Sequence, residues 1–437
     1  MRLSWVQPED LLPHELAAGR DEGRDVSALA DRWVAAGGSL LPPVGGTSSP
    51  PASPSLRALA LSLLDEADAA APSPDLAPAD VPAAWPFPPG PASHDRLHGA
   101  WLGRAAGCLL GKPVEKIPRE GIREILTATG RWPLAGWFTA KGLPADVAAR
   151  WPWNRRSAPT SLAENIDGMP EDDDLNYPLL ALRLLETVGR DFTSDDVAQA
   201  WLDLLPAGRV FTAERVAYRN LLLGLTPPES ARRHNPFREW IGAQIRTDVY
   251  GWASPGRPDL AADLARRDAV VSHVGDGVQG AVWVAAMAAA APVAADIDQV
   301  LDAGEAVLPP GGRFAATVKE ARALGVWGAD WEVVVDEIYA RHGHLHWVHV
   351  RNNAALVAAA LAHGRGDFER SICAVVSGGW DTDSNGATVG AVTGALTGAQ
   401  GLPPRWVSPL RDRLATSVPG FDGIGFGELA SRTRSLS

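Results

Sequence analysis

Residues 377–398 read SGGWDTDSNGATVGAVTGALTG, and this stretch decides the fold. Each glycine costs an isolated helix about 1 kcal/mol relative to alanine. Four glycines on one face therefore predict that the backbone of another helix approaches closely. We expect a central helix over 384–399, with Asp381 and Asp383 at its N-terminal end, where carboxylates are favoured. The glycines of this face are Gly386, Gly390, Gly394 and Gly398.

A second acidic run, Glu171-Asp172-Asp173-Asp174, occurs in the first half of the chain. It precedes a predicted helix over 175–189, for which Asp174 is a candidate N-cap and Pro178 falls in the first turn. Crowded carboxylates repel one another unless they are solvated or bridged by a hard cation. We call this run the first acidic cluster and residues 381–384 the second. Brought together, they would make a site for one or two Mg²⁺, Mn²⁺ or Ca²⁺ ions.

Elsewhere, apolar residues recur at spacings of three and four, and period-two alternation is scarce, which predicts an all-α protein with little or no sheet. Residues 10–36 and 55–71 have helical patterns separated by Gly-, Pro- and Ser-rich connectors over 37–54 and 72–93. We expect an N-terminal appendage over 1–93 and a main domain over 94–437. Further helices are predicted over 95–111, 119–128, 194–204, 212–224, 258–271, 277–291, 296–305, 313–323, 331–341, 352–364 and 366–376.

The composition narrows the possible partners. The chain has 437 residues and a net charge of −12, which argues against a nucleic-acid or anionic-membrane partner. The apolar segments 280–294 and 385–398 are shorter than the roughly 20 residues that a membrane span needs. The first residues lack the apolar region of a secretory signal. We therefore expect a cytoplasmic protein whose two cysteines, Cys108 and Cys373, are buried thiols.

Four motifs in chain order resemble those of the ADP-ribosylglycohydrolase family. Residues 99–115, GAWLGRAAGCLLGKPVE, look like its opening Gly-rich helix, which ends in a proline and an acidic residue. The first acidic cluster resembles its Thr-Asp-Asp-Thr metal motif, and Ser272-His273 resembles its middle Ser/Thr-His. Residues 377–384 are similar to its Gly-Gly-Asp-Thr-Asp-Thr motif. The resemblance runs from about residue 97 to the C-terminus.

This resemblance implies an orthogonal helical bundle with two Mg²⁺ ions in a cleft, although Mn²⁺ or Ca²⁺ is possible. Glu171 and Asp174 stand where the family has threonines, and Trp380 is inserted before Asp381. The extra carboxylates make the site more anionic. Trp380 and the segment Trp347-Val348-His349 indicate a distinct branch, whose substrate need not be an ADP-ribosylated protein. The candidate metal ligands are Glu171, Asp172, Asp173, Asp381, Asp383 and Ser384.

The implied activity is hydrolysis of an N- or O-glycosidic bond to ADP-ribose or a related riboside. Such hydrolysis passes through an oxocarbenium-like state, for which the enzyme must orient the ribose and supply a water. Asp173 or Asp381 is the candidate base toward that water. Glu115 is the candidate acid or substrate-orienting carboxylate; alternatively it is a surface carboxylate paired with Lys112 or Lys116.

The candidate substrate-binding residues are His273, Arg246, His349 and Asn353. Arg246 would pair with a phosphate or simply with Asp248. His273 would contact substrate, cap a helix or lie in the core. The histidine-rich segment 342–349 would line the cleft or serve a structural role; a zinc site there lacks a completing motif.

The sequence therefore predicts a hydrolase acting on a small-molecule riboside or an ADP-ribosylated substrate. Two alternatives remain open. The first is a non-catalytic scaffold or an ADP-ribose- or nucleotide-binding member of the family, and the second is a zinc hydrolase built on the histidines. The sequence does not determine the oligomeric state.

Overall fold

The computed structural model describes residues 3–71, 84–88, 90–326 and 330–437. This part of the chain is all-α, as predicted: it contains helices and turns but no strand. Isolated bridges join Leu414 to Met169 and to Ile424. The predicted connector over 72–93 lies largely outside the described residues.

The α-helices follow one another along the chain with short connections. They are α1 Pro8–Asp21, α2 Ser27–Ala35, α3 Pro54–Ala70, α4 His94–Gly111, α5 Arg119–Ala128, α6 Ala145–Arg150, α7 Ala158–Ser161, α8 Asp173–Thr187, α9 Ser194–Leu204, α10 Thr212–Leu222, α11 Glu229–Arg232, α12 Asp248–Trp252, α13 Pro258–Ala269, α14 Gly275–Ala290, α15 Ile297–Ala306, α16 Arg313–Val326, α17 Trp331–His342, α18 Val350–Gly364, α19 Phe368–Ser377, α20 Thr382–Thr397, α21 Pro404–Val407 and α22 Phe426–Arg434. Short 3₁₀ turns span Val44–Gly46, Lys112–Val114, Ala207–Arg209, Ile241–Arg246, Ala399–Gly401 and Ser408–Leu410.

Most predicted helices are confirmed to within two or three residues, and those over 119–128 and 194–204 match at both ends. The helical pattern over 10–36 corresponds to two helices, because the chain turns at Gly23, which has a φ of 77°. Short helices such as α6, α7 and α12 escaped prediction, since four to six residues carry too little periodicity. The C-terminal helix α22 was also missed.

The chain divides into two compact units by packing. The smaller unit comprises Met1–Ala77, Phe192–Ala243 and Arg267–Val278. The larger unit comprises Pro78–Asp191, Gln244–Arg266 and Gln279–Ser437. The predicted domain boundary between residues 93 and 94 stays a prediction, because a unit defined by packing need not coincide with a domain defined by sequence.

A buried cluster of ion pairs and a further hydrogen bond join the N-terminal helices to the rest of the smaller unit. Glu15 of α1 is buried and accepts hydrogen bonds from Arg24 at 2.6 Å and from Arg238 at 2.7 Å. His234 lies 2.8 Å from a carboxylate oxygen of Asp65 in α3. The N-terminal helices therefore contact residues 169 to 223 positions away along the chain, and are not merely tethered.

The core of the larger unit is a seam between α4 and α20, which run antiparallel. A β-carbon added to Gly103 would overlap the carbonyl oxygen of Gly390, and one added to Gly390 would overlap that of Gly103. The same reciprocal contact pairs Gly107 with Gly386, and a further one pairs Gly99 with Gly394. The predicted close approach of a second backbone is thus confirmed, and the partner is α4.

The two helices of this seam are buried on all sides. Residues 382–395 of α20 are buried throughout, as are residues 99–111 of α4. α18 is similarly enclosed, and it contacts α16, α19 and α20. A helix that is apolar on every face belongs in the centre of a protein. Among the residues that the structure describes, no helix is both long and apolar enough to span a membrane.

Candidate metal centre

The antiparallel seam places the C-terminal end of α4 beside the N-terminal end of α20. Thr382 donates its hydroxyl to the carbonyl of Gly111 at 2.9 Å, which joins the two ends. The 3₁₀ turn that follows α4 then carries Glu115 toward Asp381 and Asp383. One carboxylate oxygen from each of these three residues lies within 4.8 Å of the others. We call Glu115, Asp381 and Asp383 the acidic triad.

Local backbone geometry leaves the Asp381 side chain available to the triad. Asp381 holds the N-cap position of α20, yet its carboxylate accepts no capping hydrogen bond. Trp380, the inserted residue, has a left-handed φ of 57° and stacks on Tyr339 with ring centroids 4.2 Å apart. Tyr339 in turn donates its hydroxyl to the carbonyl of Gly378 at 2.9 Å. The turn before α20 is therefore held by packing on α17.

Asn353 of α18 fixes the start of α20 from the other side. Its amide oxygen accepts the backbone N–H of Asp381 at 3.2 Å and the side-chain amide of Asn385 at 2.7 Å. Its amide nitrogen donates to the carbonyls of Trp347 and His349, each at 2.8 Å. All of these contacts are within the protein, so Asn353 positions Asp381 in this structure. Its predicted role in substrate binding stays a prediction.

The triad is electrostatically strained without a cation. Burial and the neighbouring Asp383 carboxyl raise the pKa of Asp381 well above its ordinary value. Burial, Glu115 and Asp172 likewise raise the pKa of Asp383. The Oδ1 atom of Asp383 is buried and has no hydrogen-bond partner. These carboxylates therefore face a position where positive charge would be stabilising.

The first acidic cluster begins α8 in a different register from the one predicted. Asp172 is the N-cap, and its Oδ1 accepts the backbone N–H of Asp174 at 2.9 Å. The prediction that Asp174 caps this helix is therefore wrong, because the helix begins earlier than its apolar pattern. Pro178 consequently lies beyond the first turn, inside the helix.

Pro178 has a specific consequence for the site. Because proline has no N–H, the carbonyl of Asp174, four residues earlier, receives no helical hydrogen bond from it. Arg104 of α4 donates its Nε–H to that carbonyl at 2.7 Å. The same buried guanidinium donates to Asp248 at 2.8 Å and lies 3.4 Å from the Asp174 carboxylate. Arg104 thus joins α4, α8 and α12 beneath the cluster.

A second group of possible ligand atoms comprises Cys108, Asp172 and Asp174. Lys112 forms an ion pair with Asp172 through the Oδ2 atom. Although burial favours the protonated carboxyl, Lys112 holds the pKa of Asp172 below its usual range. Burial and the Asp172 and Asp174 carboxylates raise the pKa of the Cys108 thiol, so this cysteine stays protonated, as expected for a buried thiol.

The other predicted ligands are distributed around these groups. Glu171 accepts the backbone N–H of Ser417 at 2.9 Å and the Asn176 amide at 3.2 Å. Asp173 is half-buried at the first position of α8. Ser384 is buried and donates its hydroxyl to Asp174 at 3.3 Å. The ligand roles of these three residues stay predictions.

Glu115 has partners at both oxygens. Lys116 lies 3.2 Å from Oε1, and the Asn154 amide donates to Oε2 at 2.6 Å. The pairing with Lys116, which the sequence left open, is therefore present, and Lys112 pairs with Asp172 instead. Because the Lys116 side chain is largely exposed, its charge is well screened by solvent.

The donor set fits a hard divalent cation. The triad offers carboxylate oxygens alone, which Mg²⁺, Mn²⁺ and Ca²⁺ prefer. The unpartnered Oδ1 of Asp383 is the observation that supports the fit most directly, since a buried carboxylate oxygen without a partner is costly. Neither group of possible ligand atoms contains a histidine, so the zinc alternative gains no support among the described residues.

The predicted substrate-binding residues are all buried. In the larger unit, Arg246 lies 5.6 Å from the Tyr177 ring centroid. His349 caps α18, with its Nδ1 accepting the backbone N–H of Arg351 at 3.2 Å. His273 belongs to the smaller unit, where its Nδ1 lies 2.8 Å from the Ser272 hydroxyl. Substrate contact by any of them stays a prediction.

Sequence reasoning missed the cations that accompany the carboxylates. Arg104 and Lys112 are eight residues apart with the neutral Cys108 midway, so the spacing of four places all three on one face of α4 and its continuation into the following turn. That spacing is the signal that would have found them. The signal is weak because Lys112 follows the last helical residue and lies close to Glu115 in the sequence.

The chain is similar to known proteins over most of its length. The sequence profile of the ADP-ribosylglycohydrolase family matches residues 89–432. An uncharacterized protein of Archaeoglobus fulgidus is 24% identical over 326 residues, which cover 73% of this chain and 92% of that protein. A solved structure of an ADP-ribosylglycohydrolase-related protein complex is 20% identical, with a TM-score of 0.49, and the match covers 78% of this chain and 97% of that one.

Proposed function

Because the chain belongs to the ADP-ribosylglycohydrolase family, we propose that it hydrolyses an N- or O-glycosidic bond to ADP-ribose or a related riboside, using a divalent cation. Membership of a glycohydrolase family supports a hydrolase at the coarse level. The observation that carries the finer proposal is the acidic triad, which gathers three carboxylates at the junction of α4 and α20.

The triad suits the chemistry of glycoside hydrolysis. Cleavage develops positive charge on the ribose ring, and the reaction needs an oriented ribose and an activated water. When bound, a hard divalent cation contacts hydroxyl oxygens and lowers the pKa of water. Glu115, Asp381 and Asp383 would hold it, and we keep Mg²⁺ as the first candidate, with Mn²⁺ and Ca²⁺ as alternatives.

The remaining roles fall to residues at the edge of the triad. Glu115 keeps some exposure and accepts a hydrogen bond from Asn154, so besides its share in holding the cation it would accept a hydroxyl of the substrate. Asp173 is half-buried at the start of α8, and a carboxylate there would accept a proton from water. Asp381 would share this role if its oxygen not engaged by the cation faces the water.

The proposal is tested by calorimetric titration of ADP-ribose, and separately of a simple riboside, into the full chain. Each titration is run with Mg²⁺ and again with EDTA. Mg²⁺-dependent binding of ADP-ribose is the expected result, and it directs assays toward ADP-ribosylated arginine and serine. Riboside binding without ADP-ribose binding would assign a small-metabolite glycosidase. Absence of binding and of any Mg²⁺ heat would favour a scaffold.

A further inference from the structure

We propose that this centre takes one divalent cation, at the acidic triad, and that the ammonium group of Lys112 stands in for a second one. The inference rests on the proposed function and deepens it by assigning the number of ions. It arises from a difference between the two carboxylate groups that meet at the ends of α4, α8 and α20.

The group around Asp172 is already satisfied by the protein. The Oδ1 of Asp172 accepts the Asp174 N–H at 2.9 Å, and its Oδ2 is paired with Lys112. The Oδ1 of Asp174 lies 3.4 Å from Arg104. The Oδ2 of Asp174 accepts from Ser384 at 3.3 Å and faces the Cys108 sulfur at 3.9 Å. Every carboxylate oxygen in this group therefore has a donor from the chain itself.

The acidic triad is satisfied only in part. Among the described residues its ion pair is between Glu115 and Lys116, whose side chain is largely exposed. Lys112 also attracts Asp383, but its own ion pair is with Asp172. Asp381 makes no capping bond, and the buried Oδ1 of Asp383 has no partner. Three carboxylates beside one screened ammonium leave a net charge that a single divalent cation neutralises.

The position of Lys112 also makes it difficult for its ammonium group to move away from Asp172. The residue is 6% exposed, and its backbone begins the 3₁₀ turn directly after Gly111, where α4 abuts the start of α20. Separating Lys112 from Asp172 would leave a buried ammonium and a buried carboxylate unpaired, which is strongly unfavourable. A divalent cation bound at Asp172 would therefore have to sit beside a fixed positive charge, and like charges in a buried site repel strongly.

The experiment counts Mn²⁺ ions bound per chain, by native mass spectrometry and by anomalous scattering from crystals soaked in Mn²⁺. The wild-type protein should bind one ion, at the triad. Lys112→Met removes the ammonium while keeping much of its volume, so this variant should bind two. Lys141→Met removes one positive charge from an exposed position and should still bind one.

A double variant guards against misfolding of Lys112→Met. Combining Lys112→Met with Asp172→Asn removes the ammonium and its counter-charge together, and we expect one bound ion again. Two ions in the wild-type protein, or one in folded Lys112→Met, would overturn the inference. If the wild-type protein bound no ion, the metal centre of the proposed function would fall as well, which distinguishes that failure from failure of the Lys112 assignment.

Discussion

Asp383 shows how a single carboxylate links the stability of the protein to its ligand. It is buried beside Asp381 and Glu115, so in the absence of a cation these groups repel one another. A cation that binds only the folded state stabilises it by about 2.7 kcal/mol when its concentration is one hundred times Kd. The same residue therefore weakens the metal-free protein and strengthens the loaded one.

We accordingly expect Asp383→Asn to unfold in EDTA at the same temperature as the wild-type protein or a higher one. It should gain no stability from Mg²⁺, whereas the wild-type protein should gain on the order of 2–3 kcal/mol near saturation. Thermal unfolding in EDTA and in Mg²⁺ measures both effects. The control is Asp191→Asn, which changes an exposed carboxylate and should respond to Mg²⁺ as the wild type does. A full Mg²⁺ response from Asp383→Asn would exclude Asp383 as a ligand.

His349 makes folding sensitive to pH. Burial, followed by the charge of Arg351, lowers its pKa well below the ordinary value of 6.5. As the pH falls below 6.5, the unfolded chain binds a proton at this histidine and the folded protein does not. The proton therefore favours unfolding, and the contribution of His349 to stability is complete above pH 6.5 and is lost as the pH falls.

The test compares the wild-type protein with His349→Asn, which keeps an N-cap acceptor but does not titrate. Between pH 7 and pH 5, the wild-type free energy of unfolding should fall relative to the variant by up to about 1.4 kcal/mol per pH unit. Burial also lowers the pKa values of His14 and His342 to about 4, but both are present in each protein and cancel in the comparison. Parallel pH profiles in urea denaturation would contradict the expectation.

At the scale of elements, the glycine pattern of α20 predicted that another helix packs closely against it, but the sequence did not identify α4 as that helix. A glycine every fourth residue implies a close partner, and the pattern Gly99, Gly103, Gly107 and Gly111 in α4 has the same period. Pairing the two requires knowing that distant segments meet, which local patterns do not encode. The prediction of the N-cap of α8 was wrong for a local reason: polar residues begin this helix before its apolar pattern starts.

The seam itself is testable with single methyl groups. Gly103→Ala or Gly390→Ala places a β-carbon against a backbone carbonyl, which cannot move aside as a side chain would. We expect each to lower the free energy of unfolding by about 3 kcal/mol or more. Gly136→Ala, at a position with open space around the added carbon, should change it by less than about 0.5 kcal/mol. Chemical denaturation measures the free energy of unfolding of each variant. Equal effects of the three substitutions would contradict the close backbone packing of α4 against α20.

For the whole molecule, the N-terminal helices lie outside the family match at residues 89–432 yet share the smaller unit with residues inside it. The sequence suggested an appendage, because Pro-rich connectors surround these helices. It gave no sign that Glu15 would meet Arg238, since charged residues on a helix usually face solvent.

Glu15→Ala should lower the free energy of unfolding by about 3 kcal/mol, because it leaves Arg238 and Arg24 with fewer counter-charges in a buried place. The matched control is Glu66→Ala in α3. Glu66 pairs with Arg32 through two hydrogen bonds at 2.6 and 2.9 Å, but both side chains are exposed and solvent screens their charges, so its loss should change the free energy of unfolding far less than the loss of Glu15. Equal losses would show that the N-terminal helices contribute no buried charge pair to stability.

Because α4 and α20 share a four-residue glycine repeat, more than one alignment of the two helices would bring glycine against glycine. Sliding one helix past the other by a single repeat, about 6 Å, would match glycine with glycine over most of its length. Contacts at the two ends distinguish the observed alignment: Thr382 donates its hydroxyl to the carbonyl of Gly111, and Asp95 accepts the backbone N–H of Gln400 at 3.1 Å. A molecule trapped one repeat out of step would be compact and helical, yet Glu115 would be separated from Asp381. Such a species would have the helix content of the native protein but would not bind the cation at the acidic triad.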